Sequence, residues 1–124
     1  MTNEKVSLHN FDSQLIAERV EHGVSFRLYK NRLFHVAIPK DTKIGKSVIE
    51  SGYQFLDENG GGKFYNIYEF DSFSDVEPEV REWAADTSGN HYTYCDAIVI
   101  RNFAQKIITD FYTRVNKPKM PTKI

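Results

Sequence analysis

The sequence predicts a single α/β domain whose mixed β-sheet begins as an antiparallel N-terminal hairpin, continues as parallel strands and carries helices packed on it. Three observations point there. Residues 16–38 are rich in Val, Ile, Phe and Tyr and are broken at Glu21-His22-Gly23 and at Tyr29-Lys30-Asn31-Arg32, the pattern of strands joined by tight turns. Residues 63–70 carry apolar or aromatic side chains on both alternating faces, and residues 97–100 form a continuous β-branched run; both are what interior strands require. Segments of helical spacing separate and follow these runs, and such alternation joins parallel strands by right-handed crossovers.

The elements follow in order. Residues 1–13 are polar with isolated Val6, Leu8 and Phe11; they keep no period and read as a loosely held arm. Val24, Phe26 and Leu28 alternate with Ser25, Arg27 and Tyr29, the period of a strand buried on one face, and residues 33–38 continue the sheet. Asp41 or Thr42 is placed to cap a helix in which Ile44, Val48, Ile49, Phe55 and Leu56 recur at helical spacing, and Gly60-Gly61-Gly62 ends it. Residues 63–70 then take the centre of the sheet. Ser74 stands three residues before Glu77, a capping-box spacing, ahead of the short stripe Val76, Val80, Trp83 and Ala84, and Pro78 is tolerated in the first turn. Thr87-Ser88-Gly89-Asn90 is a turn cluster before the second buried strand. Asn102 caps a last helix that shows Phe103, Ile107, Ile108, Phe111 and Val115 on one face until Asn116-Lys117-Pro118 stops it. Residues 120–124 begin another strand.

Composition narrows the function. A length of 124 residues fits one domain over 1–124. The 16 basic and 17 acidic residues leave a charge of -1, so the field lacks the positive sign that phosphate backbones reward and nucleic acid is disfavoured as a partner. Cys95 is the only cysteine; it excludes an internal disulfide, argues against a thiolate metal site and suits a reducing cytoplasm. Neither an export signal nor a transmembrane segment is expected, because Met1-Thr2-Asn3-Glu4-Lys5 lacks a basic cluster and no long apolar run occurs.

Catalytic and metal readings weaken on inspection. His9, His22, His35 and His91 are scattered and none pairs at metal-ligand spacing, so neither a metal nor a cofactor is expected. His35, inside a strand, reads as a side chain on the wetter face of the sheet. The Asn59-Gly60-Gly61-Gly62-Lys63 stretch follows a helix, the reverse of a phosphate loop, and a helix C-terminus repels anions. No Gly-x-Ser-x-Gly elbow exists, and Cys95 at the entry to a strand reads as a small hydrophobe. A hydrolase would need a nucleophile such as Ser72 to meet His35 or His91. The expectation is a protein without enzymatic activity.

Topology supplies the candidate surface. In open α/β sheets ligands gather at the carboxyl ends of parallel strands, where helix N-termini also point. Three stretches meet there: Pro39-Lys40-Asp41-Thr42, Phe70-Asp71-Ser72-Phe73-Ser74 and Arg101-Asn102. Lys40, Asp41, Asp71, Ser72, Ser74, Arg101 and Asn102 are therefore the candidate binding residues, for a protein partner or a small ligand, with helix capping as the plainer role of Ser74 and Asn102. The aromatic crowding at Phe64, Tyr65, Tyr68, Phe70 and Phe73, with Tyr92 and Tyr94 before the next strand, supports an alternative: a carrier that holds a small apolar or lipid-like molecule among these rings. Unpaired outer strands make a homodimer plausible.

The same order of elements, with the closing run Phe111-Tyr112-Thr113-Arg114-Val115-Asn116-Lys117-Pro118-Lys119-Met120-Pro121-Thr122-Lys123-Ile124, resembles small bacterial proteins related to STAS domains (sulfate transporter and anti-sigma factor antagonist). The resemblance runs from about Ala17 to the end, through Glu21-His22-Gly23, Phe26-Arg27-Leu28-Tyr29-Lys30 and the strand at 97–100. It implies a mixed sheet with helices packed on it, no enzymatic activity, and binding of proteins or small ligands, sometimes switched by serine phosphorylation. In regulatory STAS domains that serine lies in an Asp-Ser-Ser-Gly-like segment; here Asp71-Ser72-Phe73-Ser74 stands in its place without the glycine, which makes Ser72 and Ser74 the residues to which the implication carries over. The similar Asp86-Thr87-Ser88-Gly89 falls after the second helix and reads as a turn. Relatives also complete the last strand and add a helix, where this sequence stops at Ile124.

Overall fold

A computed structural model describes residues 14–87, 92–117 and 121–123 of the chain. The arm expected over residues 1–13 and most of the turn cluster at 87–90 lie outside them. Strands β1 (Leu15–Glu21) and β2 (Val24–Tyr29) form the opening antiparallel hairpin, with Glu21 opposite Val24. Its two-residue turn, His22-Gly23, has φ of 55° and 79°, the left-handed backbone that a tight hairpin matched to strand twist demands. Strand β3 (Leu33–Ile38) adds antiparallel to β2.

From there the chain alternates. It runs through β4 (Lys43–Ile44), α1 (Lys46–Glu58), β5 (Phe64–Phe70), β6 (Asp75–Val76), α2 (Pro78–Thr87), β7 (Thr93–Val99), α3 (Phe103–Phe111) with a π-helical turn at Tyr112–Asn116, and β8 (Thr122–Lys123). The main sheet has the order β1-β2-β3-β5-β7-β8, and β3, β5, β7 and β8 run parallel. The predicted class is therefore met: a six-stranded mixed sheet, antiparallel then parallel, with β5 in its interior.

Because the parallel strands follow one another in one direction, right-handed crossovers lay all their helices on the same face. Phe26, Phe34, Val36, Ile38 and Phe64 point from the sheet to that side and meet Phe55 and Leu56 of α1. Phe34 is the hub, with ring centroids 6.1 Å from Phe26, 6.0 Å from Phe55 and 6.5 Å from Phe64. Gly52 lets α1 approach the sheet closely, since a Cβ there would stand 3.2 Å from the Phe26 ring. The glycine run ends α1 as expected: Gly61 N–H donates to Leu56 O at 2.9 Å, and Gly60, Gly61 and Gly62 all have positive φ.

Two helix starts differ from expectation. Helix α1 begins at Lys46 behind Gly45, with neither Asp41 nor Thr42 as its cap. Lys43 and Ile44 instead pair in parallel with Asp75 and Val76, and Asp75 N–H and Glu77 N–H donate to Thr42 O and Ile44 O at 2.9 and 3.0 Å. The same ladder displaces Ser74 from the cap of α2, so its hydroxyl donates to Asp71 O at 2.5 Å. Pro78 does open α2, where its missing N–H leaves no helical bond unmade. Strand β7 starts earlier than the apolar run, at Thr93.

Helix α3 starts where predicted: Asn102 is the N-cap, its Oδ1 accepting from Gln105 N–H at 2.9 Å. Asn102→Ala is expected to lower stability by about 1 kcal/mol in urea unfolding, because one orphan helix N–H loses its acceptor. An unchanged midpoint would show that water serves the cap equally well.

Candidate functional site

The three predicted loops do meet at the carboxyl ends of β3, β5 and β7. Asp41 N–H donates to Ser72 O at 3.1 Å and Asp71 N–H to Ile38 O at 3.0 Å, joining the first loop to the second. Gln105, on the first turn of α3 and only 6% exposed, ties in the third. Its amide donates to Asp71 O at 2.6 Å and to Ser74 O at 3.1 Å, while its Oε1 accepts from Arg101 N–H at 2.7 Å. Sequence reasoning missed Gln105, although its place three residues after the cap Asn102 put it on the rim.

The candidate residues differ in access. Lys40, Asp41, Asp71 and Arg101 are exposed, Ser72 and Asn102 are half-buried, and Ser74 is 2% exposed. With its hydroxyl turned inward, Ser74 is a brace of the rim, and Ser72 offers the more accessible hydroxyl of the pair. Asp71 Oδ1 accepts from Ser72 N–H at 2.7 Å. The rim also holds strain. Asp41 and Phe73 have φ of 59° and 61°, and a bulky residue in this region costs about 1–2 kcal/mol. Phe73 is 72% exposed, so the strained loop presents an aromatic ring to solvent.

Beneath the rim, between sheet and helices, lies a cavity of about 140 Å³. Phe34, Val36, Ile38, Tyr68, Phe70 and Ile98 form its sheet wall; Val48, Ile49, Gly52 and Tyr53 of α1, with Ile108 and Tyr112, face them. Ser74, Asp75, Arg81 and Gln105 also line it, so rim and cavity are continuous. Arg81 is committed there, its Nη1 donating to Val76 O at 2.7 Å and standing 3.3 Å from Asp75 Oδ1.

Asp96 is the anomaly of the wall. The register sets Asp96 opposite Asn66 and Ile98 opposite Tyr68, which turns the carboxyl to the helix side. Burial pushes it up to about 6, against a single hydrogen bond from Asn66 that acts the other way. Asn66 Nδ2 donates to Asp96 Oδ1 and to Thr93 Oγ1, both at 3.0 Å, and Asn66 Oδ1 is buried without a partner among the described residues. Burial, then the nearby Asp96 charge, raises the Tyr68 and Tyr112 phenols.

The opposite face holds a separate polar cluster and corrects one expectation. His35 is on the side of the sheet away from α1 and α3, as its strand position required, but is 1% exposed and not wet. Its Nε2 lies 2.9 Å from Glu69 Oε1, and Arg101 Nη2 donates to Glu69 Oε2 at 2.5 Å. His35 Nδ1 is buried with no partner among the described residues. No hydrogen bond joins His35 to Ser72, and His91, the other base considered for Ser72, lies outside the described residues. Glu69→Ala would leave both His35 nitrogens unpaired in a buried site. We expect a loss of about 1–3 kcal/mol in thermal or urea unfolding; no loss would show that His35 reaches water.

On the same face Tyr65 stacks on Tyr94 at 4.9 Å and both are exposed, whereas Tyr92 stacks on Tyr53 at 4.3 Å on the helix side. The aromatic crowding thus divides between the faces. Among the described residues there is no cluster of acidic, His or Cys side chains that could hold a metal. Nor is any helix there long and apolar enough to cross a membrane.

Residues 28–124 match the family model described as a domain of unknown function (DUF7793), and the chain belongs to that family. No curated protein and no solved structure matches it.

Proposed function

We propose that this DUF7793 domain is a non-catalytic binding module that takes a small apolar ligand into the cavity between sheet and helices, with the rim loops as its mouth. The observation that supports this reading is the cavity itself. Protein interiors are packed without such spaces, and the apolar side chains around these 140 Å³ lack the contacts that a ligand would supply. Cavities of this size and lining accept a molecule such as benzene, so the ligand, or the part of it that enters, is about one ring or one short branched chain.

The rim fits a second role in the same module. Exposed Phe73 on a strained loop, flanked by Lys40, Asp41, Asp71 and Arg101, is suited to a protein partner that senses the ligand. In a STAS-like relationship Ser72 would be the residue to phosphorylate, adding negative charge to that rim. A cytoplasmic setting and pairing of two copies belong to the same proposal.

Toluene tests the cavity. Titrated into the protein and followed by amide and methyl NMR, it should shift Val36, Ile98 and Ile108 and raise the melting temperature. Ile98→Phe, which fills the space from a strand position, should remove both effects while the protein stays folded. Shifts confined to the exposed Tyr65 and Tyr94 pair would place binding on the wrong face and end the proposal.

A further inference from the structure

We propose that the ligand is an amine: an apolar body whose protonated nitrogen docks on the Asp96 carboxylate. The inference rests on the cavity reading above and names the chemistry of its occupant. Asp96 Oδ1 has one hydrogen bond, from Asn66 Nδ2, and Oδ2 has no protein partner among the described residues. Arg81, the cation that shares the cavity wall, is held at the mouth by Asp75 and the Val76 carbonyl. A half-buried anion is thus set into an apolar wall without a counter-charge among the described residues, and a partly desolvated charge is costly until a partner reaches it.

The surroundings select for the sign. Among the described residues, Asn66 and Tyr68 of β5, Tyr53 of α1, Thr109 of α3, Tyr112 of the π-helical turn, Thr122 of β8, and Ser74, Asp75, Arg81 and Gln105 at the mouth are the charged, titratable and polar groups packed around Asp96 or its cavity. Of these only Arg81 is cationic. Tyrosine rings attract cations over their faces, and a charge-assisted hydrogen bond to a carboxylate is about twice as strong as a neutral one. A carboxylate ligand such as a fatty acid would meet Asp96 with like charge.

Benzylamine and toluene, of nearly equal shape, separate the two readings. At about pH 7.5, where Asp96 is ionised, benzylamine should bind the full-length protein about tenfold or more tighter than toluene. The advantage should shrink below about threefold at about pH 4.5, where the carboxyl is protonated, with benzylamine itself still charged. It should vanish in Asp96→Asn at either pH, where the two probes should bind alike. Equal affinities at the higher pH, or a preference that survives in Asp96→Asn, overturns the amine inference alone. Failure of both probes to bind removes the cavity reading with it.

Discussion

Phe34→Ala is expected to destabilise the domain by about 3–5 kcal/mol, the range for truncating a buried phenylalanine. Phe34 is 3% exposed and touches three other phenylalanine rings, two on neighbouring strands and one on α1. Its loss therefore removes ring contacts that add to the ladders of β3 with β2 and β5 and that join β3 to α1, and such aromatic pairs add to plain burial. Domains of this kind have only about 5–15 kcal/mol in hand, so the variant should unfold at much lower urea with an unchanged slope. Val99→Ala is the control: it is 42% exposed on the opposite face and should change stability by less than about 0.5 kcal/mol. Similar effects from the two substitutions would mean that the helix face is not where the domain is held together.

The sheet could be read from the sequence because each interior strand carries its own local pattern. Val24, Phe26 and Leu28 alternate and all three are buried. Asn102 caps α3 and Pro78 opens α2 through side-chain and backbone chemistry confined to one turn. The start of α1 and the role of Ser74 before α2 were hidden for the opposite reason. Ile44 lies four residues before Val48 and is buried as a helical residue would be, yet it is fixed by a ladder to Val76, thirty-two positions later. Local periodicity has no access to such a partner. Ser74 and Glu77 likewise have the spacing of a capping box, and the same distant ladder overrides it.

The rim was legible and the cavity was not. Which ends of which strands converge follows from strand order, and the order followed from the alternation of elements. A void, by contrast, is the difference between large volumes contributed by β2, β3, β5, β7, α1 and α3, and no residue pattern encodes it. The strand order adds a physical reason why binding should move beneath the rim. Crevices at sheet ends form where successive helices go to opposite faces; here β3, β5, β7 and β8 succeed one another in one direction, so no such crevice opens. A signal for the site was nevertheless present. Asn66 and Asp96 are polar residues at core-facing positions of two strands, and a buried polar group tells more than an exposed apolar one. His35 misled for a related reason: its strand face was right, but its burial depends on what surrounds Arg27, Ile67 and Glu69, not on its own position.

Asp96→Asn should stabilise the protein at neutral pH and leave it almost unchanged in acid. The carboxyl titrates near its ordinary 3.8 when unfolded and at about 6 when folded, so between those values the folded state binds more protons. Stability therefore falls as pH rises from about 4 to about 6, and the penalty is complete above that range. Two units correspond to about 3 kcal/mol. Asparagine keeps an acceptor for Asn66 Nδ2 and carries no charge, so urea unfolding at about pH 7.5 should show a gain approaching that size, shrinking toward zero at about pH 4. A variant no more stable at neutral pH, or equally more stable in acid, would show that water solvates the carboxylate in place. If the gain appears, the domain carries a destabilising charge beside a cavity whose apolar lining lacks contacts, and two such deficits at one place are what a binding site requires. Benzylamine at about pH 7.5 should then stabilise the unaltered protein more than the variant, because in the variant only its apolar body contributes to binding the folded state.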